Sequence, residues 1–183
     1  MKNKKLLRNY FKKKRQKNYF EINQSFFKPI KNLIPNSKKI FFLALYFPIR
    51  FEANVKKILP IVKKRNVKLL LPVIKRPREM NFYEWKFDNT LNISKFGVPE
   101  PAVISKPIVP NLMLVPLLAF NQKKFRLGYG GGYYDSYLNK NINRKKLITT
   151  IGIAFSFQKY NKLPISKFDK KLDYILTEKG LIK

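Results

Sequence analysis

Arg126, the glycines Gly128, Gly130, Gly131 and Gly132, the tyrosines Tyr129, Tyr133 and Tyr134, and Asp135 all fall between positions 126 and 135. The whole chain has only 7 glycines and 10 acidic residues, so this clustering is a signal. Glycines put no side chain between backbone N–H groups and a ligand, and they accept backbone angles closed to other residues. An arginine offers a planar, permanently charged fork suited to phosphate. A helix opening at Tyr133 would add the partial positive charge of its N-terminus. Asp135, in the first turn of that helix, could hold Mg2+ together with phosphate oxygens. The spacing fits neither G-x-x-x-x-G-K-[ST] nor G-x-G-x-x-G. Spacing alone therefore leaves two readings open, a polyphosphate loop and a flexible turn whose tyrosines pack into the core. The concentration of glycine, arginine and aspartate favours the first.

Other residues could join that chemistry. Lys4 and Arg8 are four apart and share one face of a helix expected over residues 3–20. They form either a clamp on the same phosphates or a solvated basic face. Glu52 stands between an apolar run and a helical pattern, where it could receive the N–H groups of a heterocycle or simply complement a helix dipole. Asp169 and Asp173 flank the last expected strand, as metal ligands or loop carboxylates. Glu100, in a proline-rich stretch, reads as structural. The chain contains no cysteine and no histidine, which removes disulfides, Cys/His zinc sites and Ser-His-Asp or Cys-His catalysis.

The elements that must position these groups follow from pattern. Apolar runs at 38–47, 66–74, 111–120 and 146–157 read as buried strands. The stretch 81–87 alternates like a half-buried strand, and 171–180 supplies the last strand. A helix is expected over 51–65, kinked or shortened by Pro60. Residues 96–110 hold four prolines and form an extended connector. Strands apolar on both faces, separated by helical patterns, predict an α/β fold with a mostly parallel, mixed sheet, in one domain over 1–183. In such sheets ligands sit beyond the carboxyl ends of the strands, where the glycine segment falls.

The net charge is +30, from 40 lysines and arginines against the 10 acids. It suits a polyanionic partner and keeps a basic RNA-binding protein as the rival reading. Lysine, asparagine, isoleucine and phenylalanine are abundant together along the whole chain, which a compositional bias explains equally well. Residues 1–20 are basic and amphipathic without the continuous apolar stretch of a secretory signal. The apolar runs are broken by proline and fall short of the ~20 residues a membrane span needs. A soluble, cytoplasmic monomer is the expectation.

The segment LMLVPLLAFNQKKFRLGYGGGYYDSYL resembles the hallmark of the 5-formyltetrahydrofolate cyclo-ligase family. KKLLR, LALYFPIRFEANV, NVKLLLPV, FGVPEP, GIAFSFQ and LPISKFDKKLDYILTE resemble further family segments, so the likeness covers nearly the whole chain. The resemblance implies a three-layer, Rossmann-like fold. It also implies ATP- and Mg2+-dependent closure of 5-formyltetrahydrofolate, free or polyglutamylated, to 5,10-methenyltetrahydrofolate. ATP would contact Lys4, Arg8 and the run Arg126, Leu127, Gly128, Tyr129, Gly130, Gly131, Gly132, Tyr133 and Tyr134. The folate would meet Phe47, Glu52 and Phe96 as well as Tyr129 to Tyr133. Asp135 and Asp173 would hold Mg2+, with Arg126, Tyr133 and Asp135 as the catalytic set, and neither nucleic acid nor membrane is implied as a partner. Some members carry arginine where this chain has Tyr129 and lysine where it has Gly131, and many carry histidine where it has Phe168.

Overall fold

A computed structural model of the protein describes residues 3–103, 105–142 and 147–183. Strand β1 (Phe41–Ala44) lies inside its main sheet, with both its faces covered. Leu43 and Leu45 point into one core while Ala44 points into the other. In β6 (Leu112–Pro116) Leu112 and Leu114 face the first core and Met113 and Val115 the second. This alternation is why both strands read as continuous apolar runs. Parallel neighbours extend the sheet: β2 (Val67–Arg76) on one side of β1, and β9 (Thr149–Ile153) then β10 (Tyr174–Thr177) beyond β6. Each edge is finished by an antiparallel partner, β3 (Glu79–Glu84) on β2 and β11 (Gly180–Ile182) on β10. The resulting order β11-β10-β9-β6-β1-β2-β3 is the mixed, mostly parallel sheet expected.

On one face lie the 3-10 segment Gln24–Leu33, with Phe27 and Ile30 fully buried, and the helical turns Val55–Ile58 and α2 (Leu59–Val62). On the other lies α3 (Tyr133–Ile142), whose Tyr137 meets Phe82 of β3 edge to face. Helix α1 (Lys4–Asn18), capped by Asn3, lies outside these layers and packs Leu7 and Phe11 against Leu118, Ala119 and Leu127.

Several expected elements differ in extent. The helix over 51–65 is two short pieces, with Asn54 capping the first and Pro60 at the start of the second, where a missing N–H costs nothing. The connector 96–110 contributes β5 (Pro99–Pro101), which pairs with β4 (Leu91–Ile93) outside the main sheet. Prolines are admitted there because the pair has free edges. Within 96–110, Ile104 lies outside the described residues, as does Lys146 in the strand expected from 146. The run 171–180 divides into β10 and a tight turn to β11.

Gly152 of β9 shows how closely the sheet is packed. A Cβ at that position would lie 2.6 Å from Ile175 Cδ1 and 2.8 Å from both Leu117 Cδ2 and Leu172 Cδ1. All three neighbours are buried. Gly152→Ala is expected to destabilise the protein by about 1–3 kcal/mol through overpacking. Urea denaturation should show an earlier midpoint with an unchanged slope.

Candidate functional site

The chain order around the sheet reverses at β1. From β1 it moves outward to β2 and β3, and it later returns to the other side of β1 as β6. The gap beyond the carboxyl ends of β1 and β6 is therefore the topological switch point, where α/β folds receive ligands. The loop after β1 carries Glu52. The chain after β6 forms the hairpin β7 (Ala119–Phe120) and β8 (Arg126–Leu127), then the glycine loop 128–132, then α3.

A cavity opens over this loop. It is lined by Lys4 and Arg8 of α1, by Arg126, by residues 127–135 and by Asp169. Two of the groups that sequence placed on one helix face, Lys4 and Arg8, are thus both brought to the glycine loop. Arg8 Nε donates to Gly128 O at 2.9 Å. Gly130 has φ +115, a backbone angle that an L side chain rarely adopts, and a Cβ there would come within 3.2 Å of Arg8 Cζ. At Gly131 a Cβ would fall 2.4 Å from the ring of Tyr133, so that ring fills the space a side chain would need. Phe96 is exposed and stands edge-on to Tyr133 with ring centroids 6.2 Å apart, but it does not itself line the cavity. Leu127 is buried under α1 and offers the cavity its backbone.

Arg126 is nearly buried, and its Nη2 pairs with Asp135 Oδ1 at 3.0 Å. The same carboxylate oxygen accepts the Lys170 N–H at 3.0 Å. Asp135 Oδ2 has no hydrogen bond among the described residues. Magnesium needs one or two carboxylate oxygens together with phosphate oxygens and water, so the cavity wall at Asp135 fits it. Asp173 lies elsewhere. Its Oδ2 accepts from Thr150 N at 2.8 Å and from Thr150 Oγ1 at 2.7 Å, tying the start of β10 to β9. It lines a separate cavity with Leu138 and Asn141. The structure does not bring Asp173 to Asp135, and no group of three or more acidic side chains gathers among the described residues.

The second carboxylate at the glycine cavity is Asp169, which receives Lys4 Nζ at 2.5 Å and the Ser166 N–H at 2.7 Å. Burial pushes its pKa upward, but the Lys4 ammonium and the Ser166 N–H outweigh that and hold it below the usual range. Sequence pattern left Asp169 open between metal ligand and loop carboxylate, because the contact that places it joins residues 165 positions apart.

Glu52 is 5% exposed and sits in a strained loop. Arg50 and Phe51 both have positive φ, at 49 and 63, a conformation non-glycine residues adopt only under constraint. Glu52 Oε2 folds back to accept the Ile49 N–H at 3.0 Å. Burial raises its pKa, and Arg15 opposes the shift. Arg15 of α1 is itself 1% exposed, with its Nη1 3.8 Å from Glu52 Oε1 and its Nη2 bonded to the Tyr129 hydroxyl. Sequence analysis passed over Arg15 as one more cation in a basic stretch. Its signal was its place one turn beyond Phe11, on the helix's apolar side. Phe47 is half-buried beneath Lys56, whose Nζ is 4.6 Å from the ring centroid, and it does not line the glycine cavity. Tyr134 is half-buried on the cavity wall, and burial raises its pKa further above the tyrosine range.

Fold and site together define an α/β ligand-binding protein of the switch-point type, receptive to an anion beside a buried carboxylate. The 5-formyltetrahydrofolate cyclo-ligase family model matches residues 1–178, and the chain belongs to that family. A probable 5-formyltetrahydrofolate cyclo-ligase of Schizosaccharomyces pombe is 32% identical over 107 residues, which is 51% of this chain and 52% of that protein. The 5-formyltetrahydrofolate cyclo-ligase of Haemophilus influenzae is 30% identical over 140 residues, covering 73% of this chain and 74% of its own. The chain thus matches about half the length of the first relative and three quarters of the second. In three dimensions it is similar to the 5,10-methenyltetrahydrofolate synthetase of Aquifex aeolicus, with a TM-score of 0.75 at 29% identity over 98% of this chain and 92% of that one. The corresponding synthetase of Mycoplasma pneumoniae gives 0.71 at 25% identity over 95% and 98%.

Proposed function

We propose that this protein is a 5-formyltetrahydrofolate cyclo-ligase, closing 5-formyltetrahydrofolate to 5,10-methenyltetrahydrofolate with ATP as the phosphoryl donor. The observation that carries this reading is the cavity in which Lys4, Arg8 and Arg126 converge on a glycine loop at the N-terminus of α3. Polyphosphate is the ligand such a surface suits, by charge and by exposed backbone N–H groups.

The chemistry needs little beyond positioning and charge neutralisation. The formyl oxygen of the folate attacks the γ-phosphorus, the bond to the β–γ bridging oxygen breaks, and ADP leaves. The formyl carbon becomes an iminium carrying phosphate in place of a poor hydroxide leaving group. Nitrogen 10 attacks that carbon, loses its proton, and phosphate departs as the ring closes. Arg126, anchored by Asp135 and by Lys170 O, is a rigid donor to the transferring phosphoryl group. Tyr133, with Phe96 edge-on to it, walls the place where the two substrates meet. Glu52, across the switch point, takes the pterin N–H groups. Mg2+ bound at Asp135 would supply charge neutralisation to the β- and γ-phosphate oxygens. Asp173, engaged with Thr150, does not share that cavity.

A monomer acting in the cytoplasm completes the reading. No helix among the described residues is long and apolar enough to cross a membrane. The rival RNA-binding reading rests on net charge alone, whereas this one rests on named residues in one cavity. The test is the near-ultraviolet absorption of the methenyl product in a mixture of protein, 5-formyltetrahydrofolate, ATP and Mg2+. Absorption should grow only when ATP and Mg2+ are both present. Folded protein that binds RNA with a steep salt dependence and forms no product would overturn it.

A further inference from the structure

Arg15 is a fully buried cation that the chemistry above does not use. Its guanidinium joins four parts of the switch point. Nη1 donates to Leu117 O, just past β6, at 3.3 Å, and Nη2 donates to Arg50 O, in the loop after β1, at 2.7 Å. Nη2 also bonds the hydroxyl of Tyr129 in the glycine loop, and that hydroxyl reaches Glu52 as well. Nε is buried and has no hydrogen-bond partner among the described residues. An arginine serving only to neutralise a buried glutamate would be expected to grip it with two short bonds. Here the carboxylate is held 3.8 Å away, too far for a hydrogen bond. Arg15 supplies charge to Glu52 while leaving Oε1 unbonded by that charge.

We propose that Arg15 is a positioning residue for folate recognition: it keeps Glu52 a carboxylate at the switch point and ties it, through Tyr129, to the glycine loop. The inference rests on the assignment of the pterin to Glu52. It goes further in making one residue of α1 responsible for the charge state on which that recognition depends. The groups facing Glu52 are Arg15 from α1, Arg50 from its own loop, Tyr129 from the glycine loop, Tyr46 just past β1 and Tyr134 from α3. Burial raises the pKa of Glu52, and Arg15 is the largest influence opposing that rise. Removing Arg15 therefore lets the pKa rise further. The carboxylate then protonates at a higher pH than in the wild-type protein and returns as pH rises.

The test measures binding of 5-formyltetrahydrofolate and, separately, of ATP to full-length wild-type, Arg15→Met, Arg15→Gln, Arg15→Lys and Glu52→Gln proteins across the neutral pH range. Arg15→Met should bind the folate about tenfold or more weakly at neutral pH, the factor expected when a buried charge loses its partner. Its folate affinity should climb as pH increases, while its ATP affinity changes by no more than about threefold. Glu52→Gln should be weak and flat with pH, and Arg15→Lys should recover much of the loss. A folded Arg15→Met protein with the wild-type folate affinity and pH profile would overturn the proposal. So would parallel losses of folate and ATP binding, which mark a purely structural role. If Arg15→Met fails to fold, Arg15→Gln decides: a weaker, pH-dependent folate affinity supports the proposal, and an unchanged one overturns it. Failure of the wild-type protein to bind 5-formyltetrahydrofolate would instead overturn the functional reading.

Discussion

Asp135→Asn should lower the turnover number by ~100- to 1000-fold while leaving the protein folded, a loss of the size seen when a single group stabilising transition-state charge is removed. The substitution keeps an oxygen for the Lys170 N–H and for Arg126 Nη2, so the local hydrogen bonds survive. It removes the negative charge that offsets a nearly buried guanidinium and that fits Mg2+. A stability cost of about 1–3 kcal/mol follows from leaving Arg126 beside a neutral amide. Turnover and thermal unfolding must therefore be measured on the same preparation. The Mg2+ concentration for half-maximal rate should also rise. A folded Asp135→Asn protein with near wild-type turnover would remove Asp135 from the metal assignment.

Gly130→Ala should weaken ATP binding by ~10- to 100-fold, with little change in the melting temperature. Two physical effects add at this position. At φ +115 an alanine is strained by about 1–3 kcal/mol. The exposed loop sheds that strain in the free protein by shifting and takes it up again on binding ATP, and each 1.4 kcal/mol corresponds to about tenfold in affinity. The new methyl would also press on Arg8 Cζ from 3.2 Å, disturbing the bond from Arg8 to Gly128 O. Gly130 is exposed, so the core has no part in the loss. Calorimetric titration with ATP in the presence of Mg2+ reads the effect. Unchanged affinity would mean that the phosphates do not lie over this loop.

What the sequence made legible was local. The glycine segment, its arginine and its aspartate sit within one turn of chain, and the structure keeps them together in one cavity. The buried strands at β1, β2, β6 and β9 were legible because apolar residues occupy both faces. The 3-10 segment Gln24–Leu33 was not, since Pro29 interrupts it and its spacing matches neither helix nor strand. The helix expected over 51–65 failed because its apolar residues pack from two short turns rather than from one continuous face. Arg15 and Asp169 escaped because their meaning comes from partners far along the chain. A buried arginine inside a lysine-rich helix has the same local pattern as a solvated one. Asp169 and Asp173 are chemically alike and close in sequence, and only the fold separates the one at the cavity from the one holding β9 to β10.

Helix α1 supplies Lys4, Arg8 and Arg15 to the switch point, yet it contains no acidic residue and its lysines repel one another. Alone in water it has little beyond its Asn3 cap to hold it helical, and the contacts that dock it are distant. Arg8 meets Gly128 across 120 positions and Lys4 meets Asp169 across 165. During synthesis this segment emerges before these partners, and those contacts must wait until the glycine loop and then the stretch before β10 have been made. Contacts of such long range are slow to form, so the docking of α1 belongs to the last stage of folding. The order of manufacture is thus the reverse of the order of use: α1, translated before its partners, completes the binding cavity after them.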